Sequence, residues 1–164
     1  VNGKVTETIG YSPVWRIEKF EDDDAVQANN PYSVSDFEGN LLVTEGLTLL
    51  TTLITGGSGT AWTNAAARLG VGDSTTAAAV GQTALQASSN KTFKAQEATF
   101  PTTAAGVITW KSSFGSSDAN FAWNEFCVVN AATDSGTLLN RLVSAQGTKV
   151  TGQTWTLQLQ VTFS

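Results

Sequence analysis

Four carboxylates lie singly along this chain, Asp73, Asp118, Glu125 and Asp134, and any two could act as the acid and base of a hydrolytic pair. Such chemistry needs the two groups within roughly 5 to 9.5 Å of each other, and their spacing gives no reason for any two to meet. A structural reading is stronger for two of them. Asp73 lies in GVGDST and Asp118 in GSSDAN, settings where aspartate caps a turn by accepting hydrogen bonds from nearby backbone N–H groups. Histidine is absent, which removes Ser-His-Asp and Cys-His catalysis and every metal site built on imidazole. Carboxylate, lysine, hydroxyl and tyrosine chemistry stay open. No catalytic, metal-ligating or cofactor-binding residue is assigned, and the chain is expected to be a non-enzyme without a cofactor.

Weaker signals resolve in the same direction. Gly70-Val71-Gly72 is a lone GxG without a third glycine or a P-loop lysine, too little for a phosphate site. Glu21 to Asp24 are four consecutive acids that point in divergent directions and lack the spaced pattern of a calcium loop, so a solvated turn is expected. Trp15, Trp62, Trp110, Trp123 and Trp155 could form a sugar-stacking platform, but four fall in alternating runs where core packing is the usual fate of an indole. Trp62, in the glycine-rich loop GGSGTAWTN, is the one set aside as an interface candidate. Cys127 has no partner in the chain and, in WNEFCVVN, reads as a small buried apolar residue.

At 164 residues, the chain suits one domain with an adequate core and no need of disulfide or metal. Its nine basic and fourteen acidic residues give a net charge of −5, with Lys91, Lys94, Lys111, Arg141 and Lys149 scattered singly. A nucleic-acid partner would require a basic patch, so none is expected. No apolar run approaches the roughly 18 residues of a membrane span, so no membrane partner is expected either. The start at Val1 shows no secretory pattern and fits loss of an initiator methionine.

The elements that must position these residues are mostly strands. Residues 154–164, TWTLQLQVTFS, alternate apolar and polar without a break, which predicts a long strand with Trp155, Leu157, Leu159, Val161 and Phe163 inward. Further strands are predicted at 14–20, 32–37, 67–71, 91–99, 107–114, 123–130 and 137–144, the 123–130 strand being buried on both faces. TEGLTLLTTLIT predicts a helix at about 44–55 with Thr44 as N-cap, Leu47, Leu50, Leu53 and Ile54 on one stripe, and Gly56-Gly57 as the stop. The expected fold is mainly β, an antiparallel β-sandwich or jelly roll with that one short helix. Residues 1–11 are set apart as an N-terminal arm and 12–164 form a single domain.

The strings FEGNLLVTEGLTLL, ARLGVGDSTTAA, TALQ, NKTFKAQEATFPT, SSFGSSDANFAWNEFCVVN and LLNRLVSAQGTKVTGQTWTLQLQVTFS resemble small β-rich virion structural proteins of tailed bacteriophages. The most specific are LGVGDST, FGSSDANFAWNE and RLVSAQGTK. That family includes head decoration and tail-fibre-like proteins, so the resemblance implies a non-enzymatic role in the virion. A compact chain without shaft repeats or receptor-binding extensions favours head decoration. The implied partners are the phage's major capsid protein and further copies of the chain, as a trimer, on the outer surface of a head made in the bacterial cytoplasm.

In that role, residues 1–11 could add to a neighbour's sheet edge, since Val5, Thr6 and Ile9 favour extended backbone. Val1, Val5, Thr6, Ile9, Tyr11 and Trp62 are the interface candidates; an ordinary frayed terminus is the alternative for the first five. Two rival functions stay open. A tail or fibre-tip component that attaches to the host would present Trp62 and Phe121 in distal loops. A carboxylate-dependent glycan hydrolase would bring two of the four acids into a cleft.

Overall fold

The alternating C-terminal run forms β10 (Thr154–Phe163), whose Trp155, Leu157, Leu159 and Val161 are all buried in the computed structural model, which describes residues 10–164. β10 is the middle strand of a five-stranded antiparallel sheet ordered β2-β1-β10-β7-β6, with β1 at Tyr11–Phe20, β2 at Ser33–Glu38, β6 at Thr102–Ala104 and β7 at Val107–Phe114. Thr154 and Thr156, expected on the wet face, are also buried. Their hydroxyls are satisfied by Asp23 at 2.7 Å and Glu18 at 3.1 Å.

A second five-stranded antiparallel sheet is ordered β3-β9-β8-β4-β5, with β3 at Leu41–Leu42, β4 at Arg68–Gly72, β5 at Lys91–Ala95, β8 at Glu125–Val129 and β9 at Leu138–Val143. The main core draws on both sheets: Trp15, Ile17, Trp110 and Leu157 from the first meet Leu69, Val71, Phe126 and Leu139 from the second. β8 is buried on both faces, as its sequence predicts. Phe126 and Val128 enter the main core, while Cys127 and Val129 join Val43, Leu85 and Leu138 in a second cluster on the other side. The register of β8 and β9 slips between Val128 and Val129, and there the Val128 N–H donates to the Asn140 side chain at 2.8 Å. Gly70 sits in this packing because a Cβ there would meet the Cys127 sulfur and the Phe93 ring.

Several elements differ from the sequence expectation. The acidic cluster enters a short helix, α1 (Asp23–Gln27), because Asp22 accepts from the Ala25 N–H and caps it. The longer helix α2 (Thr44–Ile54) is preceded by Val43, with Thr44 as its first residue. Its inward stripe is the half-buried Leu49, Leu50 and Leu53, leaving Leu47 and Ile54 exposed. The reason lies at Gly46, which is buried so close to the Leu138 and Leu139 backbone of β9 that a Cβ there would collide with it, and this approach sets the facing of the helix. Trp123 is buried just before β8, outside the strand, and the strand expected at 91–99 stops at Ala95. β3 and β6 carry no strong alternation; β6 exists because Ala105 and Gly106, both at positive φ, close a two-residue hairpin turn onto β7. Tyr11, assigned to the arm, is the first residue of β1 and pairs with Phe163.

Candidate functional site

Each of the four single carboxylates is held by a partner. Asp73 accepts from the Asn90 amide at 2.7 Å, and Asp118 takes the Lys94 ammonium at 2.5 Å and the Gly115 N–H at 2.9 Å. Asp134 pairs with Lys91. Glu125 is fully buried: one oxygen accepts from the Ala87 N–H at 2.7 Å, and the other from the Gln86 N–H at 2.9 Å and the Arg141 Nε at 2.8 Å. Arg141, equally buried, donates onward to the Gln82 side chain at 3.0 Å and the Thr76 carbonyl at 2.9 Å. Glu125 and Arg141 thus clasp the long connection between β4 and β5 across the second sheet, where Leu85 and Ala87 become buried. Sequence reasoning missed this pair. Its only local signal was a single charged residue in each of two largely apolar strands, each directly preceded by an asparagine, Asn124 or Asn140.

The most distinctive sequence strings meet one another. Asn124, in FAWNE, donates to the Asp73 carbonyl, in GVGDST, at 2.9 Å. Lys149, in SAQGTK, is buried and donates to the Gly115 carbonyl at 2.7 Å and the Asn120 side chain at 2.8 Å, both in FGSSDAN. Burial lowers the Lys149 pKa, while Asp118 and Asp23 work to raise it. For Asp118 itself burial acts upward, yet the Lys94 and Gly115 hydrogen bonds and the Lys94 and Lys149 charges outweigh it and hold the carboxyl below its ordinary value. Cys127 is buried and burial pushes its thiol up, so it is an inert packing residue. No group of three or more His, Cys, Asp or Glu side chains that could hold a metal occurs among the described residues.

What these contacts leave available is backbone edge and apolar surface. The outer strands are β2 and β6 in one sheet, β3 and β5 in the other. Tyr32 just before β2 and Val34 within it are exposed, and so are all three residues of β6. Beside β6 lies an apolar pocket of about 250 Å³, walled by Tyr11, Leu50, Leu53, Trp62, Trp110 and Phe163 among others.

Of the interface candidates, Val1, Val5, Thr6 and Ile9 lie outside the described residues. Tyr11 stands at the pocket wall, its ring edge-on to Phe163 at 5.7 Å and its hydroxyl accepting from Asn40 at 2.8 Å. Trp62, expected at a surface, is only 8% exposed: its Nε1 donates to the Thr137 carbonyl at 3.2 Å and its own carbonyl accepts from Trp110 at 3.3 Å. The glycine-rich residues 56–60 before it are exposed, and Trp62 alone turns its ring into the core. Phe121 also packs against the core. Comparisons with protein-family models, curated proteins and solved structures return no match for this chain.

Proposed function

We propose that this chain is a non-enzymatic structural protein of a tailed-bacteriophage virion, a decoration protein that cements the major capsid protein lattice. The reading rests on the sequence resemblance. The observation that carries it furthest is the division of labour in the fold: the carboxylates and lysines of the distinctive strings tie turns and strands together, while the outer strand β6 and the apolar pocket beside it lie at the surface of the described residues.

We read the two sheets as the layers of a β-sandwich. Chain neighbours β1 and β2, β4 and β5, β6 and β7, and β8 and β9 pair within one sheet, which favours a sandwich of hairpins over a jelly roll. Such a body resists deformation. Copies assemble as trimers, each burying about 800 Å² per partner surface. Arms from residues 1–9 add to neighbouring sheet edges through backbone hydrogen bonds. Bridged capsid subunits then oppose the outward pressure of packaged DNA. The burial of Trp62 and the partial burial of Phe121 against the core support cementing over host attachment through these two residues.

Immunogold electron microscopy of the virion, with antibodies against this chain, tests the reading. Label spread over the head supports it, and heads depleted of the protein then burst at lower osmotic stress. Label confined to the tail or its tip overturns it in favour of host attachment.

A further inference from the structure

We propose that Lys149 and Asn120 join in an intramolecular isopeptide bond, the Lys149 amine displacing ammonia from the Asn120 side-chain amide. The inference concerns the covalent chemistry of the chain by itself and goes beyond the virion role above.

The amine is held where the reaction needs it. Lys149 is fully buried, and its Nζ donates to two neutral oxygens, the Gly115 carbonyl at 2.7 Å and Asn120 Oδ1 at 2.8 Å. Among the described residues, no carboxylate forms an ion pair with it. Burial of this ammonium lowers its pKa, against the charges of Asp118 and Asp23, which raise it. The neutral amine, which is the nucleophilic form, is therefore easier to reach than for a lysine in water.

The amide is equally fixed. Asn120 Nδ2 donates to the Ser116 carbonyl at 3.0 Å and to Thr151 Oγ1 at 3.2 Å, which leaves Oδ1 turned toward Lys149. With a carbonyl bond of about 1.2 Å, Cγ lies no more than roughly 4 Å from the amine, and a modest side-chain rotation reaches the roughly 3–3.5 Å of a near-attack geometry. Backbone contacts keep the two residues side by side: the Lys149 N–H donates to the Phe121 carbonyl at 3.1 Å, and Ala122 pairs with Thr148. Between Asp118 and Asn120, Ala119 takes a φ of 51°, a left-handed conformation that is costly for a residue with a Cβ, and its carbonyl accepts from Trp123 Nε1 at 3.0 Å. The strain falls in the turn that carries both the amide and Asp118.

The step balances without a further reactant. Asp118, held ionised by Lys94 and the Gly115 N–H, accepts a proton from the Lys149 ammonium. The lone pair of the amine forms the Nζ–Cγ bond, a second proton passes from Nζ to Nδ2, and the Cγ–Nδ2 bond breaks. Ammonia leaves and recovers the first proton from Asp118 as ammonium ion. Asn120 is exposed, so the leaving group passes directly to solvent. The product ties the turn after β7 to the loop before β10 and closes a covalent ring that contains β8 and β9.

The test is the intact mass of the purified full-length chain under denaturing conditions. Most molecules are expected to be lighter than the sequence mass by one ammonia. In a tryptic digest, cleavage after Lys149 is then lost, and tandem spectra show a branched peptide that joins Asn120 to Lys149. Lys149→Arg and Asn120→Ala should each return to their full sequence mass. A parent chain at full sequence mass overturns the proposal, and this reading does not depend on the folding of any variant. A loss of ammonia that persists in Lys149→Arg also overturns it, because an asparagine that cyclises onto its own backbone would give that result. The measurement involves no phage particle, so failure here leaves the head-labelling result standing, and the reverse.

Discussion

Arg141 Nη2 lies 2.7 Å from Glu125 Oε2 with both side chains fully buried, and the pair reaches across two strands and a long loop at once. Removing one partner of such a pair leaves an uncompensated buried charge. Glu125→Gln is therefore expected to lower stability by about 3–5 kcal/mol, measured by urea unfolding. The amides of Gln86 and Ala87, which donate to the same carboxylate, should exchange with deuterium much faster in that variant. Unchanged exchange at those amides would show that the loop is held by Leu85 and Ala87 packing alone.

Gly46→Ala reverses a propensity rule. Alanine gains about 1 kcal/mol over glycine inside a helix. At this position its Cβ would stand 2.7 Å from the Leu138 carbonyl and the Leu139 Cα, both backbone atoms of β9. The expected outcome is a lower melting temperature despite the better helix former, together with a changed near-ultraviolet spectrum as α2 lifts from the sheet.

Trp62 separates a core role from an interface role. Trp62→Ala is expected to cost about 3–5 kcal/mol in denaturant unfolding, the range for deletion of a buried large aromatic side chain. A surface tryptophan kept for a partner would leave the unfolding curve nearly unmoved.

Asp118 makes stability depend on acid. Burial pushes its pKa up, but the Lys94 and Gly115 hydrogen bonds together with the Lys94 and Lys149 charges outweigh that push and lower it in the fold. The contribution is present above the unfolded value of about 4 and is lost as pH falls through the folded value. Asp118→Asn should therefore be less stable than the parent at pH 7 and lose less on going to pH 3, as followed by thermal melts across that range.

Tyr11 acts at the other end of the scale. Burial pushes its hydroxyl up to about 12, against the neighbouring Asn140 and Asn40 side chains, which lower it; of the two, only Asn40 donates a hydrogen bond to it. Its contribution is complete below the unfolded value of about 10 and disappears as pH rises through the folded value. Tyr11→Phe should flatten the loss of stability between those limits, and absorbance titration of the parent should show one late-ionising tyrosine.

The strands that alternate cleanly were legible because side chains on a strand repeat every two residues, a local rule that needs no knowledge of neighbours. β10, β7 and the doubly buried β8 follow it, and the turn role of Asp118 follows from the reach of a short carboxylate to a nearby N–H group, whereas the Asp73 carboxylate meets the Asn90 side-chain amide instead of the backbone. The helix was legible in extent but not in facing. Its leucines form two overlapping stripes, and only the contact of Gly46 with β9 decides that Leu49 turns inward while Leu47 turns out.

Composition and periodicity alone therefore determined that this protein is mainly β, with an aromatic core and without the histidine on which much catalysis depends. Tertiary structure decided what those rules cannot reach: the pairing of Glu125 with Arg141, the inward fold of Trp62, and the meeting of Asp73, Asn124, Asn120 and Lys149 from three separate strings. These outcomes depend on strand order and register, which bring together residues far apart in the chain, and the alternation of a single strand carries no information about which strand will lie beside it.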